Sequence, residues 1–224
     1  KNRNWFERRL IKNIKRQLTG LPVSKIHLTA ARIFCFGVDA SLWEKYAQRI
    51  KKIMGIKHAI LVNQLEADLE LIQESVAALL EVVEFETFRI STKRQYKNFP
   101  LSSQQVNEEV GKHIQSIYLK PVNLKNAAIE IIIELVKGMA YIGYLRVHGY
   151  GGLPVGTSEH AISMISSGID SPVASFEMLR RGVDLSYVHF HSIPVTNHQS
   201  IQNVEDILME LAGYQMQCQV YMVP

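Results

Sequence analysis

The junction between an apolar strand, a short Ser/Gly loop and a helix constrains the fold of this chain more than any other feature. The strand is predicted over Ala161–Ile165, the loop is Ser166–Ser171, and the helix is predicted over Pro172–Arg181. Pro172 suits the first position of a helix, where its missing N–H removes no hydrogen bond, and Gly182 suits the position after the helix end. Such a junction points free backbone N–H groups and the positive end of a helix dipole at one place, which suits a phosphate.

Strand and helix patterns continue to alternate after this loop. Further strands are predicted over Leu185–Phe190 and Gln217–Val223, with a helix over His198–Leu211 between them. This alternation predicts βαβ units and a parallel sheet, with the loop at the carboxyl end of a strand, where open α/β sheets bind ligands. The loop is not a Walker A motif, because no lysine follows the glycine. Physical reasoning alone leaves an ordinary tight βα turn as the alternative.

The first 60 residues predict a small α+β unit. Phe6, Leu10, Ile14 and Leu18 recur at every fourth position, which predicts an amphipathic helix over Asn4–Leu18. Two strands, a second helix capped by Ser41 and stopped by Gly55, and a third strand are then expected at Lys25–Leu28, Arg32–Phe36, Ser41–Met54 and Ala59–Val62. A ferredoxin-like unit needs one more strand before residue 1.

A second unit is predicted to begin near His58, with alternating strand and helix patterns and one basic loop. The segments are a helix at Asp68–Glu81, a strand at Phe85–Ile90, the basic loop Ser91–Pro100, a helix at Ser103–Tyr118, and a hairpin of Ala127–Val136 and Met139–Leu145 around Lys137-Gly138. The Gly- and Pro-rich stretch Val147–Gly156 is predicted to be a linker or a shaped loop.

Charge is distributed unevenly along the chain. The first 60 residues hold fourteen Lys and Arg against three Asp and Glu, a net +11, whereas residues from Gly151 onward carry a net −5. This asymmetry indicates a front end that binds a polyanion, and the alternative is a solvated helix face. In the basic loop, Lys93, Arg94 and Lys97 suit phosphates and Tyr96 suits an unpaired base, whereas Phe99 is expected in the core.

Composition excludes several classes of protein. Cys35 and Cys218 are the only cysteines and lie far apart, which excludes a disulfide framework and gives no metal-ligand spacing. No apolar run approaches the ~20 residues of a membrane-spanning helix, and no signal peptide is visible. We therefore expect a cytoplasmic protein without a membrane partner.

Four separate segments resemble the ThiI family. The loop Ser166–Ser171 is similar to the Ser-Gly-Gly-x-Asp-Ser signature of PP-loop ATP pyrophosphatases, which by itself indicates only the superfamily. The family resemblance is carried, in order along the chain, by Lys1-Asn2-Arg3-Asn4-x-Phe6, by Ser91-Thr92-Lys93-Arg94-x-Tyr96-Lys97-x-Phe99-Pro100, by Gly151-Gly152-Leu153-Pro154-Val155-Gly156, and by Val188-His189-Phe190-His191-Ser192-Ile193-Pro194-Val195-Thr196.

The ThiI resemblance implies a multidomain α+β and α/β protein. ThiI proteins are tRNA 4-thiouridine synthetases, also linked to thiamine thiazole synthesis. Their layout implies a partial ferredoxin-like domain over 1–57, a THUMP RNA-binding domain over 58–149, a linker over 150–157, and the first part of a doubly wound, parallel-sheet PP-loop domain over 158–224. It also implies that the persulfide cysteine lies beyond Pro224. The truncated sheet exposes an edge that a partner chain, such as a second copy, would cover.

The resemblance also implies a reaction and its residues. ATP adenylates O4 of a tRNA uridine with release of pyrophosphate, and a persulfide sulfur, supplied through a cysteine desulfurase, then replaces AMP. ATP binding is expected from Ser166, Ser167, Gly168, Asp170 and Ser171, with Met164 and Ile165 on the adenine side and His189 and Phe190 completing the pocket. Asp170 is the expected catalytic residue and could hold Mg²⁺ on the nucleotide. RNA contacts are expected from Arg3, Arg9, Lys12, Arg16, Lys93, Arg94, Tyr96 and Lys97.

One position departs from the family pattern. Ser167 stands where the family usually has glycine, so its Cβ is expected to narrow backbone freedom and to crowd a phosphate. This departure keeps open a THUMP protein that binds tRNA through its basic residues but no longer turns over ATP. A PP-loop enzyme that adenylates a small molecule is a further alternative, against which the basic front end argues.

Overall fold

The structure is a computed structural model that describes residues 2–191 and 198–224. The chain forms two compact units, of which the first joins Lys1–Ala59 to Val147–Pro224 and the second is Ile60–Arg146. The segments predicted as the first and last domains therefore belong to one unit. Within the described ranges, no helix is both long enough and apolar enough to cross a membrane.

The N-terminal segment of the first unit contains two helices and a hairpin. The elements are α1 Arg3–Gln17, β1 Lys25–Thr29, β2 Arg32–Phe36 and α2 Trp43–Lys51, with β1 and β2 antiparallel. Ile14, Leu18, Tyr46 and Ile53 form the buried centre of this segment. The predicted role of Ser41 as helix cap is wrong. The Asp39 carboxylate instead accepts the Ser41 N–H at 2.9 Å and caps a 3-10 turn over Ala40–Leu42, after which α2 begins.

The second unit is a mixed four-stranded sheet with two helices. Two short strands, β3 His58–Ile60 and β8 Arg146–His148, form a separate two-stranded sheet where the chain passes from one unit to the other. The elements of the second unit are β4 Asn63–Glu66, α3 Leu69–Glu81, β5 Phe88–Arg94, α4 Ser103–Tyr118, β6 Ile129–Val136 and β7 Met139–Gly143. The sheet order is β4-β7-β6-β5, in which β5 and β6 are parallel and the other neighbours are antiparallel. The parallel pair is joined through α4, as a crossover requires.

Apolar periodicity accounts for the core of the second unit. Ile72, Val76 and Leu80 of α3 repeat at helical spacing and pack with the alternate β6 residues Ile131 and Ile133. The hairpin around Lys137-Gly138 is confirmed, because both residues adopt the positive φ angles, 49° and 81°, of a two-residue turn.

Two strand boundaries in the second unit differ from the prediction. β5 begins at Phe88 rather than Phe85 and continues to Arg94, so the first four residues of the predicted basic loop are strand. The predicted strand Ala59–Val62 overlaps only the last two residues of β3, and β4 begins after it, at Asn63. Short apolar runs fix strand ends poorly, because pairing with β6 decides how far β5 extends.

The C-terminal segment of the first unit is a three-stranded parallel sheet with two helices. The elements are β9 His160–Met164, α5 Asp170–Arg180, β10 Asp184–Phe190, α6 His198–Gln215 and β11 Val220–Val223, with β10 central in the order β11-β10-β9. Both helices contribute to the core around Leu185 and Tyr187. Lys1 and the family-like residues Ser192–Thr196 lie outside the described residues.

Candidate nucleotide site and RNA-binding surfaces

The Ser/Gly loop lies at the carboxyl end of β9, beside the carboxyl end of the central strand β10. The Ile165 N–H donates to the Val188 carbonyl at 2.9 Å, which continues the β9–β10 ladder up to the loop. α5 begins at Asp170, two residues earlier than predicted, so the helix N-terminus includes the loop's last residues. Ser166, Ser167, Gly168 and Asp170 are all exposed. The geometry therefore presents backbone N–H groups and a helix N-terminus to solvent at one sheet edge.

The hydroxyl of Ser171 holds the loop in shape. It accepts the Ser166 N–H at 3.0 Å and lies 3.2 Å from the Ser166 hydroxyl. The Ser175 hydroxyl donates to the Ser171 carbonyl at 2.8 Å and also lies 2.8 Å from the hydroxyl of Ser163 on β9. The sequence did not predict this contact between Ser175 and Ser163, because an isolated serine in a helix or strand does not reveal its partner.

The backbone at Ser167 and Gly168 is not strained. Ser167 does not adopt a positive φ, so the loop conformation does not require glycine at this position, and the crowding of a phosphate by its Cβ stays a prediction. Its hydroxyl accepts a hydrogen bond of 3.3 Å from the Ser200 hydroxyl in the first turn of α6. A Cβ on Gly168 would approach only the Ser166 hydroxyl, at an ordinary 3.5 Å. The fold itself does not require glycine at position 168, and the space beside its Cα is open to a ligand.

The four flanking residues divide into two pairs. Met164 and Phe190 are 71% and 59% exposed and stand at the ends of β9 and β10. Ile165 and His189 are 3% and 6% exposed, so the expectation that their side chains line a nucleotide pocket needs correction. The Ile165 side chain belongs to the core. The His189 Nδ1–H donates to the Ile165 carbonyl at 2.8 Å, because a carbonyl can only accept, and this bond ties the two strand ends together.

Residues 151–158, called the Gly/Pro segment below, form a shaped loop that packs on the carboxyl end of α5. The Leu153 N–H donates to the Arg180 carbonyl at 2.9 Å. A Cβ on Gly152, whose φ is +76°, would lie 2.1 Å from that same carbonyl oxygen. A Cβ on Gly156, at φ +80°, would lie 2.2 Å from the Arg9 guanidinium. Glycine is required at both positions by conformation and by close approach.

Basic residues of α1 are used in two ways. Lys12 is exposed, as is Arg3, which pairs with Glu7 at 2.7 Å. In contrast, Arg9 is half-buried and its Nε donates to the Gly156 carbonyl at 2.9 Å, while the Arg16 Nη2 donates to the Gln217 side chain at 3.1 Å. Charge counting predicted a common role for these four residues, but the fold engages Arg9 and Arg16 with the C-terminal segment.

The second basic surface lies at the end of β5. Lys93 and Lys97 are exposed, whereas the Arg94 Nη1 donates to the carbonyls of Phe99 and Leu101 at 3.0 and 3.1 Å. Phe99 is 4% exposed, which confirms its expected place in the core, and Tyr96 is half-buried against the same core. Arg94 therefore closes the loop that carries Lys97.

Two further arginines of the second unit are held by a carboxylate. Glu130 of β6 accepts from Arg89 at 2.9 Å, from Arg146 at 3.2 Å and from the Ser91 hydroxyl at 2.6 Å. Burial alone would raise the pKa of Glu130, but the Ser91 and Arg89 hydrogen bonds and the charges of Arg146 and Arg89 together hold this pKa below its ordinary value. This cluster is a structural ion-pair network, and it removes two cations from the surface available to RNA.

The fold, the exposed Ser/Gly loop and the basic surfaces are together typical of one class of protein. Proteins of this class combine a ferredoxin-like segment, a THUMP domain and a parallel sheet with such a loop at its edge. Three family models match successive segments that together span most of the chain. The ThiI ferredoxin-like domain matches residues 1–59, the THUMP domain matches 66–145, and the model described as thiamine biosynthesis protein (ThiI) matches 156–224. The chain belongs to the ThiI family.

Curated relatives agree with this membership. A probable tRNA sulfurtransferase of Listeria monocytogenes serotype 4a is 37% identical over 229 residues, which cover 100% of this chain and 56% of that protein. A probable tRNA sulfurtransferase of Geobacillus thermodenitrificans is 36% identical over 227 residues, with the same coverage. The chain thus spans a little over half the length of these relatives.

Solved structures share the fold. A crystal structure of a Pyrococcus horikoshii Ot3 protein matches with a TM-score of 0.84 at 28% identity, covering 99% of this chain and 76% of that one. The crystal structure of a 4-thiouridine synthetase–RNA complex with bound ATP matches with a TM-score of 0.79 at 31% identity, covering 99% of this chain and 57% of that one.

Proposed function

We propose that this chain belongs to an ATP-dependent tRNA sulfurtransferase that adenylates a tRNA uridine for 4-thiouridine formation. The single observation that carries the proposal is the exposed loop between β9 and α5, set at a parallel-sheet edge in the segment, residues 156–224, that the ThiI model matches. The names of the relatives and the ATP and RNA of the related complex support it.

In this proposal the loop binds the phosphates of ATP. O4 of the uridine attacks the α-phosphate, and pyrophosphate leaves. The N-terminus of α5 and the hydroxyl of Ser171 oppose the charge that develops on the phosphates. The N–H groups of Ser166 and Gly168 donate within the loop, to the hydroxyls of Ser171 and Ser166 at 3.0 and 3.4 Å. Met164 and Phe190 offer exposed apolar surface to the adenine, and His189 acts by holding Ile165 in place.

The residues present fit a magnesium ion carried by the nucleotide. Mg²⁺ in nucleotide sites takes one or two protein carboxylates and completes its shell with phosphates and water. Asp170 is exposed in the first turn of α5, beside the proposed phosphate position, and supplies one such carboxylate. Bound there, the ion would neutralise charge on the phosphates.

The remaining partners follow from the same proposal. A persulfide sulfur displaces AMP from C4 of the uridine, and we propose a cysteine desulfurase as the source of that sulfur, as the resemblance to the ThiI family implies. We assign no sulfur chemistry to Cys35 or Cys218. Burial raises the pKa of both thiols, which disfavours the reactive thiolate. We further propose a cytoplasmic location and a homodimer.

A direct test measures pyrophosphate release by the full-length protein with ATP and unmodified tRNA. The proposal expects release that requires both substrates. Tight tRNA binding without pyrophosphate release would instead favour the non-catalytic THUMP protein. Release that is independent of tRNA would favour a small-molecule substrate.

Gly168→Ala should weaken ATP binding without weakening the fold. The new Cβ meets only Ser166 at 3.5 Å and the residue has no positive φ, so the free energy of unfolding should change by less than about 0.5 kcal/mol. The methyl group would occupy the space proposed for a phosphate and displace it from the N–H groups. We expect ATP affinity to fall about tenfold, roughly the value of one charge-assisted hydrogen bond. Isothermal titration with ATP and chemical denaturation measure the two effects, and unchanged ATP affinity would contradict the proposed phosphate position.

Lys93→Glu should weaken tRNA binding and leave ATP binding unchanged. Lys93 is exposed, so reversing its charge removes one phosphate contact without disturbing packing. We expect a loss of about tenfold in tRNA affinity at low salt and a smaller slope of affinity against salt concentration. Filter binding across a salt series measures both quantities. Lys137→Glu, in the β6–β7 turn of the same unit, is the matched control, and an equal loss there would reduce the effect to net charge alone.

A further inference from the structure

Two polar residues on one side of α1 contact the Gly/Pro segment. The Arg9 Nε donates to the Gly156 carbonyl at 2.9 Å, and the Asn13 Nδ2, one turn later, donates to the Val155 carbonyl at 3.1 Å. Asn13 is only 6% exposed, and it is one of few buried polar side chains among residues 2–191 and 198–224. A buried amide that pairs with a backbone carbonyl more than 140 residues away in sequence fixes the position of that carbonyl.

The same Gly/Pro segment is hydrogen-bonded to the residues that follow the carboxyl end of α5. The N–H groups of Gly156, Thr157 and Ser158 donate to the Gly182 carbonyl at 2.8, 3.0 and 2.9 Å. The Ser158 hydroxyl donates to the Arg181 carbonyl at 2.8 Å. The carbonyls after the helix end are therefore satisfied by this segment, which α1 holds from its other side.

α5 connects the Gly/Pro segment to the Ser/Gly loop, so the position of the segment affects the position of the loop. The helix has 11 residues and is about 16 Å long, and a helix this short behaves as a rigid rod. Its carboxyl end is fixed by the Gly/Pro segment and its amino end is the Ser/Gly loop. A shift of Val155 and Gly156 would therefore tilt or translate the loop relative to β10.

We propose that Arg9 and Asn13 are positioning residues for the nucleotide loop, acting through the Gly/Pro segment and α5, and that Arg9 does not contact RNA. The proposal rests on the proposed function, because it assumes that the loop binds ATP. It assigns one side of α1 to the nucleotide site and leaves RNA to two exposed cations of the helix, Arg3 and Lys12.

Arg9→Lys in the full-length protein separates the two roles. Lysine keeps the positive charge that an RNA contact needs but lacks the planar guanidinium that donates from Nε to Gly156. We expect the Kd for ATP to rise about fivefold, which is part of the effect of losing one hydrogen bond from a charged donor. The Kd for tRNA should change by less than about twofold. Arg8→Lys, one residue earlier and exposed, is the matched control and should change neither constant.

Asn13→Leu is the second variant. Leucine has the same branched arrangement of side-chain heavy atoms as asparagine but leaves the Val155 carbonyl without its donor, so we expect the KM for ATP to rise while the KM for tRNA stays constant. Thermal unfolding monitors the fold, and Arg9→Lys remains the deciding variant if Asn13→Leu is unstable. Intact ATP binding in Arg9→Lys, or a loss of tRNA binding in that variant, would overturn the proposal. A wild-type protein that binds no ATP would overturn the proposed function instead.

Discussion

Asp170→Ala should reduce tRNA-dependent pyrophosphate release by the full-length protein at least about 100-fold, the usual cost of losing one preorganised electrostatic group in an active site. Asp170 is exposed in the first turn of α5, where its carboxylate lies beside the proposed phosphate position and suits the metal ion that accompanies ATP. Affinity for tRNA should stay within about twofold, because removing a carboxylate takes away no phosphate contact. Quench-flow measurement of pyrophosphate and filter binding of tRNA test the two statements.

The control for this variant is Asp184→Ala. Asp184 is also exposed, but it is the first residue of β10 and therefore lies at the amino end of the strand, opposite the loop. Its removal changes the net charge equally and should leave the rate of pyrophosphate release within about twofold, as expected for a surface residue outside the site. Equal losses in the two variants, or a large loss of tRNA affinity in Asp170→Ala, would contradict the role proposed for Asp170.

Residues that cap helices or form tight turns made some elements predictable from the sequence. α4 was predicted with its observed bounds, and the structure shows that Ser102 and Gln105 form a capping box at its start. The turn at Lys137-Gly138 was predictable because glycine tolerates the positive φ that such a turn needs. The strand–loop–helix junction was predictable for the same kind of reason, since Pro172 lies within two residues of the observed start of α5 and Gly182 follows the residue that caps its end.

Contacts between distant segments were not predictable. Arg9, Arg16 and Arg94 were among the expected RNA contacts, but a guanidinium that donates to a carbonyl or amide of its own chain has the same sequence signature as a free one. The partners of Arg9 and Arg16 lie more than 140 residues away, and only the fold of the first unit brings them together.

The alternation of side chains along β9 and β10 predicts which residues beside the Ser/Gly loop are buried. Ile165 follows Ser163 at a spacing of two and lies on the side of β9 that packs against the helices, whereas Met164 lies on the exposed side. His189 has the same relation to Tyr187 on β10. Alternation thus separates Met164 and Phe190, which face solvent, from Ile165 and His189, which do not.

Gly182→Ala should destabilise the first unit by about 3 kcal/mol. Gly182 adopts φ +86°, and an alanine in this region costs about 1–2 kcal/mol. The new Cβ would also lie 2.4 Å from the Thr157 hydroxyl and 3.0 Å from the Leu153 Cβ, so the Gly/Pro segment would have to move, at a further cost of about 1–3 kcal/mol. Denaturant unfolding followed by tryptophan fluorescence measures the change, because both tryptophans, Trp5 and Trp43, lie in the first unit.

Gly20→Ala isolates the conformational part of this loss. Gly20 lies in the same unit at φ +83°, but no atom lies within 4 Å of its added Cβ, so only the backbone cost of about 1–2 kcal/mol is expected. The difference between the two variants measures how firmly the Gly/Pro segment is packed on the end of α5. If the two losses are equal, that segment yields without cost and cannot fix the helix. A larger loss in Gly182→Ala, together with weaker ATP binding, is the result expected when the segment sets the position of the loop.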